Sequence, residues 1–339
     1  MMNLADELYR LCNAPTVPGD EQFGGAYALG LLRQFMPADY DSTGSIIGEN
    51  NGEGNGIILE AHLDTIGMIV TGVEDNGFVH ADKCGGVDIR TLAAHDVLIH
   101  GKETVHGVIT SIPPHLSKDS KIAADFTELM IDTGLTDGRA KEIISLGDRI
   151  TFKAQYARLL GENLCGAYFD NNAGICAVLR CLEILRERGC NKKIYVVFSS
   201  QEETGGTGAR AFGFRCPAPE CICVDVTFAK TKDTPKSIIA TLGGGTMIGV
   251  APALDNRMTN ILKATARNKG IPFGLEVMGG GTGTDADKLA VSREGKRTAL
   301  LSIPIKNMHT PVEVVSLDDI QSTALLMADY IMYSGGGKV

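Results

Sequence analysis

The sequence has 339 residues, with 32 Lys and Arg against 41 Asp and Glu and a formal net charge of −9. An apolar share of 44% supports a large buried core, which excludes global disorder, and the acidic balance argues against nucleic acid as a partner. No apolar run approaches the ~20 residues that cross a bilayer, and nine scattered cysteines are typical of reduced thiols; we therefore expect a cytoplasmic protein without a membrane partner.

The first part of the chain predicts two helices followed by a strand. A stripe of leucines indicates a helix near the N-terminus, and a second helical stretch covers 21–35. The apolar run 57–59 predicts a buried strand that leads directly to His62 and Asp64.

The pattern changes between 68 and 161. Short strand-like runs separated by Gly, Asp and Pro occur there, and helical periodicity is scarce. The predicted strands are 68–73, 77–81, 96–100 and 105–110. This segment predicts a small β-rich domain, 68–161, inserted into a larger α/β domain that consists of 1–67 and 162–339.

Helices and continuous apolar runs alternate regularly after residue 170. The runs are 194–198, 221–226 and 299–303, and helices are predicted at 175–185, 258–268, 285–292 and 317–333. Strands that alternate with helices in this way predict an α/β fold, in which a mostly parallel sheet has helices on both faces.

Candidate functional residues follow the predicted strands. Ligands bind at the carboxyl ends of the strands in such a sheet. The polar residues found there are His62, Asp64, Glu202, Glu203, Asp225 and His309, and Asp170 stands just before the next helix. Imidazole and carboxylate suit zinc and similar ions, and one of two adjacent glutamates could act as a base. A single such residue is more often a turn or cap residue, so only the set indicates a metal site.

Several short motifs at these positions occur in a familiar order. They are Ala61-His62-Leu63-Asp64-Thr65-Ile66-Gly67, Phe169-Asp170-Asn171, Gln201-Glu202-Glu203, Val224-Asp225-Val226-Thr227, Gly281-Thr282-Gly283-Thr284-Asp285-Ala286 and His309-Thr310-Pro311-Val312-Glu313. Segments 107–109, 113–116 and 131–134 of the β-rich unit fit the same pattern. With these motifs the sequence resembles the tetrahedral (TET-type) metalloaminopeptidases, the glutamyl or deblocking aminopeptidase family, some members of which carry an endoglucanase-like name. The resemblance covers nearly the whole chain.

The resemblance implies a zinc-exopeptidase-like fold and a two-metal site. It implies that His62 and Asp225 hold one divalent ion, that Glu203 and His309 hold the other, and that Asp170 bridges the two. Zinc is the expected metal, and cobalt or manganese can share such ligands.

The resemblance also implies a reaction, in which N-terminal residues are hydrolysed from peptides. A metal-bridged water would be the nucleophile, and Glu202 would be the general base. Asp64 would hold the ring of His62 by a hydrogen bond, and their two-residue spacing suits this role if the strand continues.

The resemblance further implies a homo-oligomer. In relatives the inserted β-rich unit forms dimers, and these assemble into a twelve-subunit tetrahedral particle. Such a shell would admit short or unfolded peptides and exclude folded proteins.

Two alternatives stay open. The chain departs from the family pattern at Asn172, Thr204 and the pair Lys306-Asn307, which leaves a catalytically altered metal-binding homologue possible. A glycoside hydrolase would use Glu202 with a second carboxyl group ~5–9.5 Å away. That reading gives the two histidines of the set no role.

Overall fold

The computed structural model of the protein describes residues 2–14, 16–110, 115, 126, 129–136, 138–153, 155–232, 234–235 and 240–333. Of the sequence motifs, Pro113, Pro114 and Leu116 lie outside these residues. Within the described ranges, no helix combines the length and the hydrophobicity that a bilayer crossing requires.

The helices and strands are as follows. The helices are α1 (Leu4–Cys12), α2 (Glu21–Leu32), α3 (Arg139–Ile143), α4 (Phe169–Glu187), α5 (Thr207–Arg215), α6 (Asn256–Lys269), α7 (Ala286–Ala290) and α8 (Leu317–Tyr333). The strands are β1 (Ala38–Tyr40), β2 (Ile46–Glu49), β3 (Glu53–His62), β4 (Gly67–Val73), β5 (Phe78–Cys84), β6 (Asp96–His100), β7 (Thr104–Ile109), β8 (Met130–Asp132), β9 (Arg149–Phe152), β10 (Ala157–Arg158), β11 (Asn163–Gly166), β12 (Lys192–Ser199), β13 (Glu220–Phe228), β14 (Thr246–Val250), β15 (Phe273–Val277), β16 (Arg297–Lys306) and β17 (Glu313–Ser316).

Among the described residues, strands β4 to β9 form a closed antiparallel barrel in the order β4-β5-β8-β7-β6-β9. Burial alternates along β7, where Val105 and Ile109 are buried and His106 and Val108 are exposed. This period of two is what a strand with one face in a barrel core requires. Strand β10, which follows the barrel, pairs with β11 of the main sheet.

The remaining strands of the described ranges form one mixed sheet in the order β1-β2-β12-β3-β13-β16-β17-β11-β10, in which β14 also pairs with β16 and β15 pairs with β14. The four central strands β12, β3, β13 and β16 run parallel. The flanking strands β2, β14 and β17 pair antiparallel with them. The expectation of a mostly parallel sheet is thus met in its centre and not towards its edges.

Central strands supply two hydrophobic clusters. On β13, Ile222 and Val224 belong to a cluster that contains residues of α1, α4 and α8. The alternate residues Cys221 and Cys223 belong to a second cluster that contains residues of α5 and α7. Because both sets of side chains are buried, the central strands read as continuous apolar runs in the sequence.

Candidate metal centre

Residues at the ends of the parallel strands come together because of the sheet register. Ser199 pairs with His62 between β12 and β3, and Cys223 pairs with Glu60 between β13 and β3. Asp225 lies two residues beyond Cys223 on β13 and is therefore level with His62 on the same face. The carboxyl edge of the sheet thus brings residues of three strands into one site.

His62 is the centre of the first group of donor atoms. Its Nε2 lies 3.0 Å from Asp170 Oδ1 and 3.6 Å from Asp225 Oδ1. All three residues are buried, and their donor atoms lie within 4.8 Å of one another. One imidazole and two carboxylates at this spacing suit a divalent ion such as zinc.

His309 is the centre of the second group of donor atoms. It follows β16 in a turn where its φ is 62°. Its Nε2 lies 3.1 Å from Asp170 Oδ2 and 3.3 Å from Glu203 Oε1, and these donor atoms also lie within 4.8 Å of one another. Asp170 therefore has one carboxylate oxygen in each group, which is the arrangement that a residue shared by two ions requires.

The pKa shifts in both donor groups show that the carboxylates there favour a positive charge on or between the donor atoms. Burial lowers the pKa of His309, but hydrogen bonds to Asp170 and Glu203 outweigh it and raise that pKa to about 11. Burial likewise lowers the pKa of His62, and Asp170 and Asp225 raise it well above its usual value. Burial raises the pKa of Asp170, yet the two imidazoles draw it below its usual range. The donor set therefore fits cations on chemical grounds.

Asp64 contacts the ring of His62, as the resemblance implied, but through its backbone oxygen and not through its carboxylate. Strand β3 ends at His62, so Asp64 lies beyond the strand, and its backbone oxygen is 2.8 Å from His62 Nδ1 while its Oδ1 is 3.8 Å away. The carboxylate accepts the backbone amides of Glu202 at 2.9 Å and Glu203 at 3.0 Å. The backbone oxygen of Asp64 thus positions the ring of His62, and its carboxylate positions the backbone of Glu202 and Glu203.

Glu202 lies beside the two groups. Its neighbour Glu203 contributes a donor atom to the second group, whereas Glu202 belongs to neither among the described residues. Burial raises the pKa of Glu202 to about 9; His62 opposes this shift, and Asp225 and Asp285 add to it. A carboxyl group with a raised pKa, next to but outside the donor set, is suited to exchange protons.

Sequence reasoning assigned no role to Glu313, which connects the two groups. Its Oε2 accepts the amides of Phe169 at 2.7 Å and Asp170 at 3.2 Å. Its Oε1 accepts the amide of His309 at 2.9 Å. One buried carboxylate thus fixes the backbone of the shared aspartate and of the second histidine. Burial raises the pKa of Glu313 to about 8.

A buried acid pair lies behind the strand ends. The hydroxyl of Ser199 is 2.8 Å from Glu60 Oε1 and 2.6 Å from Asp285 Oδ2. A hydroxyl carries one hydrogen, so one of the two carboxyl groups must itself supply a proton to make both contacts. Burial raises the pKa of Glu60 well above its usual value and that of Asp285 to about 6, which favours Glu60 as the protonated member.

Two of the departures from the family pattern form hydrogen bonds away from the donor atoms. The amide of Asn172 donates to the backbone oxygen of Tyr168 at 2.8 Å, and that of Asn307 donates to the backbone oxygen of Val312 at 3.1 Å. The two donor groups contain the expected His, Asp and Glu residues, so these two departures replace no candidate ligand. The hydrogen bonds of Asn172 and Asn307 therefore give no geometric support to the altered-homologue alternative.

The mixed α/β fold and the two donor groups match what a metal-dependent hydrolase requires. The chain belongs to the M42 glutamyl aminopeptidase family, whose model matches residues 44–326. It is therefore an aminopeptidase, as the resemblance implied.

Known proteins are similar to this chain over nearly its full length. A lysyl aminopeptidase of Pyrococcus furiosus is 31% identical over 94% of this chain and 93% of the relative. The aminopeptidase APDkam598 from Desulfurococcus kamchatkensis superposes with a TM-score of 0.89 at 29% identity, covering 99% of this chain and 98% of the other. The TET1 peptidase of Pyrococcus horikoshii, described as assembling into a tetrahedron or a large octahedral shell, has a TM-score of 0.86 at 27% identity over 96% of this chain and 98% of the other.

Proposed function

We propose that this aminopeptidase binds two divalent ions at the strand ends and hydrolyses the N-terminal peptide bond there. His62 and Asp225 would hold one ion, and Glu203 and His309 the other. Asp170 would belong to both sites. The observation that carries the proposal is the position of Asp170, whose two oxygens lie 3.0 and 3.1 Å from the two imidazoles.

The chemistry divides between the ions and the chain. When bound, two divalent ions supply Lewis acidity that activates water and polarises the scissile carbonyl. Zinc, cobalt and manganese all accept this donor set. Asp64 and Glu313 hold the donor residues in place through the backbone contacts described above, so the site is preorganised before substrate arrives.

Glu202 would be the general base. Positive charge at the two donor groups favours its ionised form, which accepts a proton from the attacking water. Its buried position raises its pKa and so favours keeping that proton until the departing amine takes it. Since Asp64 binds the amides of both glutamates, the base is held at a fixed place beside the donor atoms.

The domain roles are part of the same proposal. Segments 1–67 and 162–339 would form the catalytic domain, and 68–161 would form an inserted dimerisation domain. The separate closed barrel, which ends with β9 at Phe152, supports this division, whereas β10 at the end of the segment pairs with the main sheet. Peptides would be the substrates, without nucleic acid or membrane partners, and the cysteines, all free thiols, fit a cytoplasmic enzyme.

Chelation and reconstitution test the proposed metal dependence. Treatment with a strong chelator should abolish hydrolysis of aminoacyl chromogenic substrates, and Zn²⁺, Co²⁺ or Mn²⁺ should restore it. Metal analysis should find two ions per chain in the active form. Hydrolysis that persists in metal-free protein would contradict the proposal, and cleavage of a cellulose-type substrate that survives chelation would favour the glycoside hydrolase instead.

The quaternary structure is a separate prediction. We expect dimers that assemble into a dodecamer, in line with the solved structure of a TET1 peptidase described as a dodecamer, which is 26% identical. Sedimentation equilibrium should give twelve times the chain mass. A monomeric mass at micromolar concentration would contradict this assembly and leave the reaction chemistry untouched.

A further inference from the structure

The loop formed by residues 85–88, between β5 and the short 3₁₀ turn Ile89–Thr91, reaches the second donor group. It connects two barrel strands. Its Gly86 backbone oxygen lies 3.1 Å from His309 Nδ1, and its Gly86 amide donates to Glu203 Oε2 at 3.4 Å. One residue of the barrel unit therefore touches two members of the second group.

A side chain at either glycine of this loop would require its neighbours to shift. A Cβ added at Gly86 would be 2.3 Å from His309 Nδ1, and one at Gly85 would be 2.8 Å from Glu203 Oε2. Gly85 has a φ of +85°, which also favours glycine. Gly86 lies outside the left-handed region, so space alone demands glycine there.

The first donor group is built differently. The Nδ1 of His62 contacts the backbone of Asp64, two residues along the same chain segment, so no barrel residue is needed. The side chain of His62 is 3% exposed, whereas that of His309 is 29% exposed. The main sheet thus encloses the first imidazole, while the second depends on the barrel loop for its orientation.

We propose that Gly85 and Gly86 are positioning residues of the second metal site, through which the barrel unit completes the catalytic centre. This inference rests on the two-metal function proposed above. A backbone oxygen on Nδ1 fixes the tautomer in which Nε2 presents its lone pair to an ion. The amide of Gly86 fixes one oxygen of Glu203, which leaves the other facing His309.

The test compares Gly86→Ala with Gly30→Ala. Gly30 lies in α2, where an added Cβ meets no atom within 4 Å, so this control introduces the same methyl group without a clash. Metal-free protein is titrated with Zn²⁺, and the number and affinity of bound ions are measured by equilibrium dialysis. Gly86→Ala should keep one ion at wild-type affinity and bind the second about 10–100-fold more weakly. Gly30→Ala should bind both ions as the wild type does.

Two results would overturn the inference. In the first, Gly86→Ala binds both ions as tightly as the wild type, so the loop does not affect metal binding. In the second, Gly86→Ala loses affinity for both ions equally, so the loop has no specific effect on the second site. A wild-type protein that binds no ion and cleaves no aminoacyl substrate would instead contradict the proposed function itself.

A second test uses only the wild-type protein, so it does not depend on whether Gly86→Ala folds. Hydrogen exchange of the peptide that contains Gly86 is followed during the Zn²⁺ titration. The second equivalent of Zn²⁺ should slow hydrogen exchange of this peptide. The ion would fix the Glu203 carboxylate, which accepts a hydrogen bond from the Gly86 amide. Exchange that does not change with the second equivalent would count against the inference.

Discussion

Asp170→Asn should leave the protein unable to hold its pair of ions and should lower kcat/KM by about 10³-fold or more, because several kcal/mol of transition-state stabilisation are lost. The amide keeps the shape of the side chain but offers one neutral oxygen where the carboxylate offers a charged oxygen to each histidine group. Metal analysis should find fewer than two ions per chain, and circular dichroism should show an intact fold.

Asp39→Asn is the matched control for this substitution. Asp39 is exposed in β1 and pairs with Arg33 at 3.4 Å on the surface, where such pairs contribute about 0–1 kcal/mol. This variant should bind and hydrolyse as the wild type does. Two tightly bound ions in Asp170→Asn would show that the aspartate is not shared between them.

Glu202→Gln should lower kcat by about 10²–10⁴-fold while the metal content stays unchanged. The amide cannot accept the proton of the attacking water, but Glu202 lies outside both donor groups, so the ions should remain. Steady-state kinetics on an aminoacyl substrate and metal analysis of the same sample separate these two effects.

Glu187→Gln serves as the control for the base. Glu187 is exposed at the far end of α4, the helix whose first turn carries Asp170. Its kinetics should match those of the wild type. An unchanged kcat in Glu202→Gln would mean that another group accepts the proton, and loss of an ion would mean that Glu202 is itself a ligand.

The strand-end residues were predictable from sequence because their strands are buried on both faces. The runs that lead to His62 and Asp225 are continuous and apolar, and parallel strands place their carboxyl ends at one edge. The edges of the sheet were not predictable in this way. β14 and β15 are short and contain glycine, and the direction of an edge strand depends on its connections rather than on its own residues.

Contacts that cross the fold could not be predicted from local patterns. Glu313 ends the motif that begins at His309, but nothing in that motif indicates that its carboxylate accepts three backbone amides. Asp64 lies past the end of its strand, so the same-face spacing with His62 no longer applied. Gly86 carries no chemical signature, since only the approach of His309 in space explains it.

The wide separation of the donor residues along the chain affects when activity can arise. His62 lies in β3, whereas His309 follows β16, and both must meet Asp170 at the start of α4. A nascent chain has no complete donor set until His309 has been synthesised and β16 has joined the sheet. A ribosome-bound or truncated chain should therefore lack peptidase activity, and acquisition of both ions would report that folding is complete.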